Sequence, residues 1–136
     1  MSVATKGEVL QIRTSEDVVL ARQMAREWSV RLGFSLVEQT KIVTAASEIA
    51  RNTIVHGGGG IMRLQALNTG ERTGLEMVFE DQGRGIKDVD QALRDGFSTG
   101  FGLGLGLGGA RRLSSEFEIA SMPGEGTRVR MVRWRT

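Results

Sequence analysis

The sequence predicts a two-layer α/β sandwich in which helices cover one face of a mixed, mainly antiparallel sheet. The first observation is the order of its segments, β-α-α-β-β-α-α-β-β, as indicated by hydrophobic periodicity and turn residues. The second is a length of 136 residues without a dividing linker, so we expect one domain over residues 1–136. The third is a set of 19 clustered glycines with a single proline, which indicates functional loops instead of a disordered chain.

The first half of the chain predicts one strand and two helices. The strand is EVLQI (8–12), and Ser15 is expected to cap the helix that follows and ends at Gly33. The apolar positions of that helix are Val18, Ala21, Ala25, Trp28 and Leu32. Ser35 is expected to cap the second helix. Its buried stripe is predicted to comprise Leu36, Ile42, Val43, Ala46, Ile49, Ala50 and Thr53.

The second half predicts four strands and two short helices. Two strands, GIMRLQALN (60–68) and GLEMVFED (74–81), alternate in polarity and are joined by the turn TGERTG. Short helices are expected in IKDVDQALRDGF (86–97) and from the start of GLGGARRLSSEF (106–117). The segments FEIASM and TRVRMVRWR then form a closing hairpin over the turn PGEG.

Composition narrows the class of protein. The chain has no cysteine, which excludes a disulfide framework and a thiolate metal site and favours a reducing, cytoplasmic setting. No apolar run reaches the length of a membrane span, and the N-terminus lacks the apolar stretch of a signal peptide, so no membrane partner is expected. The net charge of +2 gives the whole molecule only a weak field.

Four local patterns carry the candidate chemistry. They are SEIARN (47–52), EDQGRGI (80–86), GFGLGLGLGG (100–109) and PGEGT (123–127). Taken singly, each has an ordinary structural explanation: a solvated helix face, a turn after a strand, a flexible linker and a hairpin turn. None of the four is decisive alone.

In this order and at this spacing, the four patterns resemble the nucleotide-binding boxes of the GHKL superfamily, the ATP-binding (Bergerat) fold of gyrase, Hsp90, histidine kinases and MutL. The resemblance covers roughly residues 8–135 and implies ATP and Mg²⁺ as cofactors. It implies Glu48 as the general base, Asn52 as the Mg²⁺ ligand and Asp81 as the adenine-binding carboxylate. The other cofactor-binding positions that it implies are Gly83, Gly85, Gly102, Gly104, Gly106 and Thr127.

The residue types suit these roles. A carboxylate only accepts hydrogen bonds, so Asp81 can bind the exocyclic amino group of adenine, whereas the carbonyl of guanine would face it as a second acceptor. Glycines let the backbone approach the nucleotide and offer N–H groups to phosphates. Asn52 supplies the oxygen that Mg²⁺ prefers, and Glu48 lies one helical turn away. His56, the single histidine, is expected at the helix end or the rim of the site.

Within the superfamily, the chain resembles the small RsbT-type serine/threonine switch kinases of the stressosome. These kinases belong to the same branch as the anti-sigma regulatory factors. The segments TAASEIARNTIVHGGGG and DGFSTGFGLGLGLGGARRLSSEFEI carry this likeness. It implies STAS-domain scaffold proteins, RsbS-like and RsbR-like, as substrates, and a PP2C-type phosphatase or another output protein as the downstream partner. A lid, Lys87 to Phe101, is expected to close over the phosphates, and ATP is expected to order Gly96 to Gly109.

Two other functions are compatible with parts of the sequence. One is an ATP-binding anti-sigma or partner-sequestering module with little kinase activity, although Glu48 beside Asn52 favours catalysis. The other is nucleic-acid binding through the arginines of the last strand and last helix, which are Arg111, Arg112, Arg128, Arg130, Arg133 and Arg135. The near-neutral charge and the absence of tyrosine disfavour that second function, so no nucleic-acid partner is expected.

Overall fold

Two layers, one of strands and one of helices, make up the fold in the computed structural model, which describes residues 3–4 (backbone only), 7–94 and 106–136. In chain order its elements are β1 (Val3–Ala4), β2 (Glu8–Ile12), α1 (Ser15–Arg31), α2 (Leu36–Val55), β3 (Gly60–Asn68), β4 (Thr73–Asp81), α3 (Val89–Ala92), α4 (Gly106–Arg112), β5 (Glu116–Met122) and β6 (Gly126–Trp134). The predicted fold class and segment order are confirmed. The two-residue strand β1 was not predicted.

The sheet runs in the order β1-β3-β4-β6-β5, and β2 also pairs with β3. Every pairing between the described strands is antiparallel. The register places Gly60 opposite Asp81 and Asp81 opposite Thr127, so the end of β4 meets the starts of β3 and β6. Two segments that are distant in sequence, around Asp81 and Thr127, are thereby neighbours.

Helix α1 begins where predicted, but its cap is Thr14 instead of Ser15. Thr14 has an extended backbone with φ −128°, the conformation expected of a cap. The Asp17 carboxylate accepts the backbone N–H groups of Arg13 at 2.9 Å and Thr14 at 3.0 Å. An acidic residue three positions after the cap completes a capping box. Asp17 has this spacing from Thr14 and not from Ser15, so Thr14 is the cap.

Helix α2 has the predicted Ser35 cap, whose side chain accepts the N–H of Glu38 at 3.1 Å. Six of the seven residues of the predicted stripe are buried, but Leu36 is 72% exposed and that part of the prediction is wrong. Helical spacing determines only the side of the helix on which Leu36 lies. Whether anything packs against the first turn depends on the tertiary structure, and among the described residues none shields this side chain.

The sheet face opposite the helices is polar and largely ion-paired. Arg130 contacts the carboxylates of Glu76 at 2.6 Å, Glu118 at 2.6 Å and Glu116 at 3.3 Å. Two further arginines predicted in the last strand also bond within the chain: Arg133 donates to the Leu113 carbonyl, and Arg135, which follows the end of β6, donates to the Leu32 carbonyl. None of the helices in the described ranges combines the length and the apolar character needed to cross a bilayer.

Candidate functional site

A cavity of about 450 Å³ lies between α2, the end of β4, the loop after β4, the start of α4 and the start of β6. Five of the predicted site residues line it, namely Asn52, Asp81, Gly85, Gly106 and Thr127. Its apolar walls include Ile49, Phe79, Ile86, Leu107 and Val129. Such a combination of apolar walls and a few polar groups is typical of a small-molecule or cofactor site.

Helix α2 positions Glu48 and Asn52, one turn apart. The Asn52 side chain is half-buried and faces the cavity. Glu48 is 9% exposed, and its two carboxylate oxygens have different partners. Oε1 is 3.1 Å from Nη1 of Arg51, and Oε2 accepts the backbone N–H of Gly106 at 3.3 Å. Glu48 is thus oriented by its own helix and by the first residue of α4.

Asp81 ends β4 beside the cavity. Its Oδ1 accepts the backbone N–H of Gly83 at 2.9 Å, which turns the chain sharply after the strand. Gly85 has φ +75°, and a Cβ there would collide with the carbonyl of Met122, so the loop needs glycine at this point. Gly83 itself is not part of the cavity lining. Two other predicted residues, Gly102 and Gly104, lie outside the described residues.

Thr127 lies directly across the strand pair from Asp81. Its hydroxyl is 2.8 Å from the hydroxyl of Ser121, which also accepts the backbone N–H of Ile86 at 2.7 Å. Ser121 therefore links β5, β6 and the loop after β4, a role that the sequence patterns do not predict. The available signal was its position in FEIASM, where it shares the face of Phe117 and Ile119 and is the only polar residue there.

His56 caps the C-terminus of α2 at the mouth of the cavity, in agreement with the predicted helix-end or rim position. Its Nδ1 is 3.2 Å from Nη2 of Arg84, so the neutral ring accepts a hydrogen bond from the guanidinium. Burial lowers the pKa of His56 below its ordinary value of 6.5, and the charge of Arg84 lowers it further. Asp81 acts in the opposite direction and raises this pKa.

The lowered pKa of His56 predicts that the folded protein becomes less stable as the pH falls. The unfolded chain binds a proton to His56 more readily than the folded chain, so the contribution of His56 is fully present above pH 6.5 and is lost as the pH falls through the lower folded value. Urea unfolding at pH 7.5 and 5.5 is expected to show a larger loss of stability in the native protein than in His56→Gln. Equal losses in the two proteins would contradict this effect.

The profile of the histidine kinase-like ATPase domain matches residues 13–133, which is most of the chain and all of the cavity described above. The chain belongs to the histidine kinase-like ATPase family. The predicted superfamily and the use of ATP are confirmed by this match. A solved structure, that of the RsbU and RsbW domains of Rv1364c from Mycobacterium tuberculosis, shares the fold with a TM-score of 0.67 at 22% identity. It matches 97% of this chain, which spans 34% of that larger chain.

Two curated proteins are similar to this chain over nearly its whole length. The serine/threonine-protein kinase RsbT of Bacillus subtilis (strain 168) is 42% identical over 125 residues, which cover 92% of this chain and 94% of that protein. An anti-sigma F factor of Thermoanaerobacter sp. (strain X514) is 31% identical, covering 98% and 96% of the two chains. The predicted RsbT-type assignment, a serine/threonine-protein kinase of this ATPase family, is confirmed.

Proposed function

We propose that the protein transfers the γ-phosphoryl group of ATP to a serine or threonine hydroxyl of a STAS-domain scaffold protein. The observation that carries this proposal is the convergence on one cavity of the Asp81 carboxylate, the Thr127 hydroxyl and the Asn52 amide, with Glu48 one turn before Asn52. These groups come from α2, β4 and β6, which are far apart in sequence. Their meeting point has the size and polarity that a nucleotide requires.

The adenine end of the cavity is assigned to Asp81. The Gly83 N–H fixes one oxygen of this carboxylate, which leaves acceptor capacity for the amino group of the base. Phe79 and Val129 lie on the same two strands and offer apolar contact to the ring. Thr127, held by Ser121, supplies a second polar contact beside Asp81.

The phosphate end is assigned to the region around Asn52 and Gly106. The described residues contain no cluster of three acidic or histidine side chains that could hold a metal ion by themselves. A single amide oxygen nevertheless fits Mg²⁺, which commonly keeps several waters and binds through one or two protein ligands and the substrate phosphates. Mg²⁺ held there would neutralise charge on the phosphates. Gly102, Gly104 and the predicted lid residues from 95 to 101 lie outside the described residues.

Glu48 is the proposed general base. Its carboxylate accepts the proton of the substrate hydroxyl as the oxygen forms a bond to the γ-phosphorus. The bond from that phosphorus to the bridging oxygen breaks, and ADP leaves with its electron pair. Arg51 and the Gly106 N–H hold one oxygen each, so the carboxylate is oriented before the substrate arrives.

The assay for this function incubates the purified protein with γ-labelled ATP and candidate STAS-domain proteins of the RsbS-like and RsbR-like types. Label is expected in a STAS protein and not in its serine- or threonine-to-alanine variants. The alternative function, an ATP-binding module that sequesters a partner, predicts retained ATP and partner binding without label transfer. The buried, ion-paired Glu48 favours the kinase, because nucleotide binding alone does not need this acid.

Phosphorylation is proposed to release the kinase to a PP2C-type phosphatase or another output protein. A phosphate adds about two negative charges to the scaffold and can disrupt a contact by repulsion and desolvation. We expect scaffold and output protein to exclude one another in a pull-down with the tagged kinase, with the balance shifting to the output protein after phosphorylation. A stable ternary complex would contradict this exchange.

A further inference from the structure

We propose that Gly57, the first of the four consecutive glycines after α2, determines the position of the Asp81 carboxylate and thereby the selectivity of the site for the 6-amino group of adenine. This inference rests on the proposed nucleotide site and adds to it a residue that does not line the cavity. Gly57 acts through Asp81 and is a positioning residue.

The backbone of Gly57 does not itself require glycine. Its N–H donates to the Thr53 carbonyl at 3.1 Å, which continues the helical pattern of α2, and its φ is outside the left-handed region. Alanine is the residue best suited to helical backbone. Gly58 differs, since its φ is +71° and no described residue has an atom within 4 Å of a Cβ built on it. The absence of a side chain at Gly57 therefore needs another reason.

That reason is the side chain of Asp81. A Cβ on Gly57 would lie 2.5 Å from both the Cβ and Oδ2 of Asp81, and closer still to Cγ. Rotation of the carboxylate cannot relieve this overlap, because the Cβ of Asp81 is fixed to its own backbone. Alanine at position 57 must therefore displace the end of α2 or the end of β4 to restore an ordinary van der Waals separation.

Gly83 lies against the backbone of Gly57 and also contacts Asp81. A Cβ on Gly83 would lie 2.5 Å from the Cα of Gly57, so the two backbones touch with no room for a methyl group. The Gly83 N–H also donates to Oδ1 of Asp81. The carboxylate is thus held by a hydrogen bond to Oδ1 and by the surface of Gly57, while Oδ2 has no hydrogen bond from the described part of the chain.

The experiment compares binding of ATP and of purine riboside triphosphate, which lacks only the 6-amino group, by isothermal titration calorimetry. The native protein is expected to prefer ATP by about ten- to a hundred-fold, the range for a hydrogen bond to a charged group. Gly57→Ala is expected to bring this preference to within about threefold of unity, with affinity for the analogue nearly unchanged. A general loss of structure would weaken both ligands equally and leave the preference intact.

Gly58→Ala is the matched control, because it strains the same glycine run without approaching Asp81. It is expected to retain the native preference. If the native protein itself showed no preference, the Asp81 assignment would fail. A native preference that persisted in Gly57→Ala would overturn the present inference alone.

Stability provides a second readout. Gly57→Ala is expected to lower the Tm of the native protein by more than it lowers the Tm of Asp81→Gly, because Asp81→Gly removes the atoms that the new methyl group meets. An equal decrease in the two backgrounds would overturn the steric basis of the proposal.

Discussion

Glu48→Ala is expected to reduce phosphoryl transfer to the protein substrate by about a hundred-fold or more while Mg·ATP remains bound. The magnitude is that of a positioned general base, which typically contributes 10²- to 10⁴-fold. Glu48→Gln should behave in the same way, since the amide oxygen can still accept the Gly106 N–H but cannot take a proton at neutral pH. Single-turnover transfer from labelled ATP and calorimetric ATP affinity measure the two effects separately.

Asn52→Ala provides the contrast on the same helix. It is expected to lose the Mg²⁺-dependent part of nucleotide binding, measured as the ratio of ATP affinities with Mg²⁺ and with EDTA. Glu27→Gln, an exposed carboxylate on α1, is the control and should match the native protein in both assays. Identical defects in Glu48→Ala and Asn52→Ala would contradict the separate roles assigned to base and metal ligand.

Asp81→Asn is expected to weaken ATP binding by about ten- to a hundred-fold. The amide loses the charge, and its NH₂ group can present a donor to the amino group of adenine. A hydrogen bond that involves a charged group contributes about 1.5–3 kcal/mol, and 1.4 kcal/mol corresponds to a tenfold change in affinity. The loss should be much smaller for purine riboside triphosphate, which lacks the amino group.

Glu80→Gln is the matched control, because Glu80 precedes Asp81 on β4 but points to the opposite sheet face, where it pairs with Arg63 at 2.7 Å. Its ATP affinity should equal that of the native protein. Unchanged ATP affinity in a folded Asp81→Asn protein would show that another group binds the adenine.

Much of the fold could be predicted because local rules determine it. Ser35 and Glu38 mark the start of α2 through a capping box, and the alternating polarity of β3 and β4 gives their bounds to within a residue. Where two local rules compete, as at Thr14 and Ser15, side-chain hydrogen bonds decide the cap. A two-residue strand such as β1 has too few residues for any periodicity and owes its existence to pairing with β3.

The candidate site was predicted through its sequence patterns, but its contacts were not. The spacing of Glu48 and Asn52 puts them on one side of a helix whatever lies opposite. That Glu48 accepts the N–H of Gly106, 58 residues later, depends on how α4 packs against α2. Ser121 was overlooked for a similar reason, since its partners Ile86 and Thr127 come from other segments.

Apart from β1, the sequence by itself determined the element order, and it also determined the two-layer class, the family and the residue types available at the nucleotide-binding motifs. These depend on spacing along one chain. Only the tertiary structure decided which residues are neighbours across elements. It left Leu36 exposed despite its place in the helical stripe, and it brought Gly57 against Asp81. In the sequence the four glycines look alike. In the structure, Gly58 adopts a positive φ that favours glycine, whereas Gly57 leaves room for the side chain of Asp81 from β4. Backbone conformation is a local property, whereas steric room depends on atoms that folding brings from elsewhere in the chain.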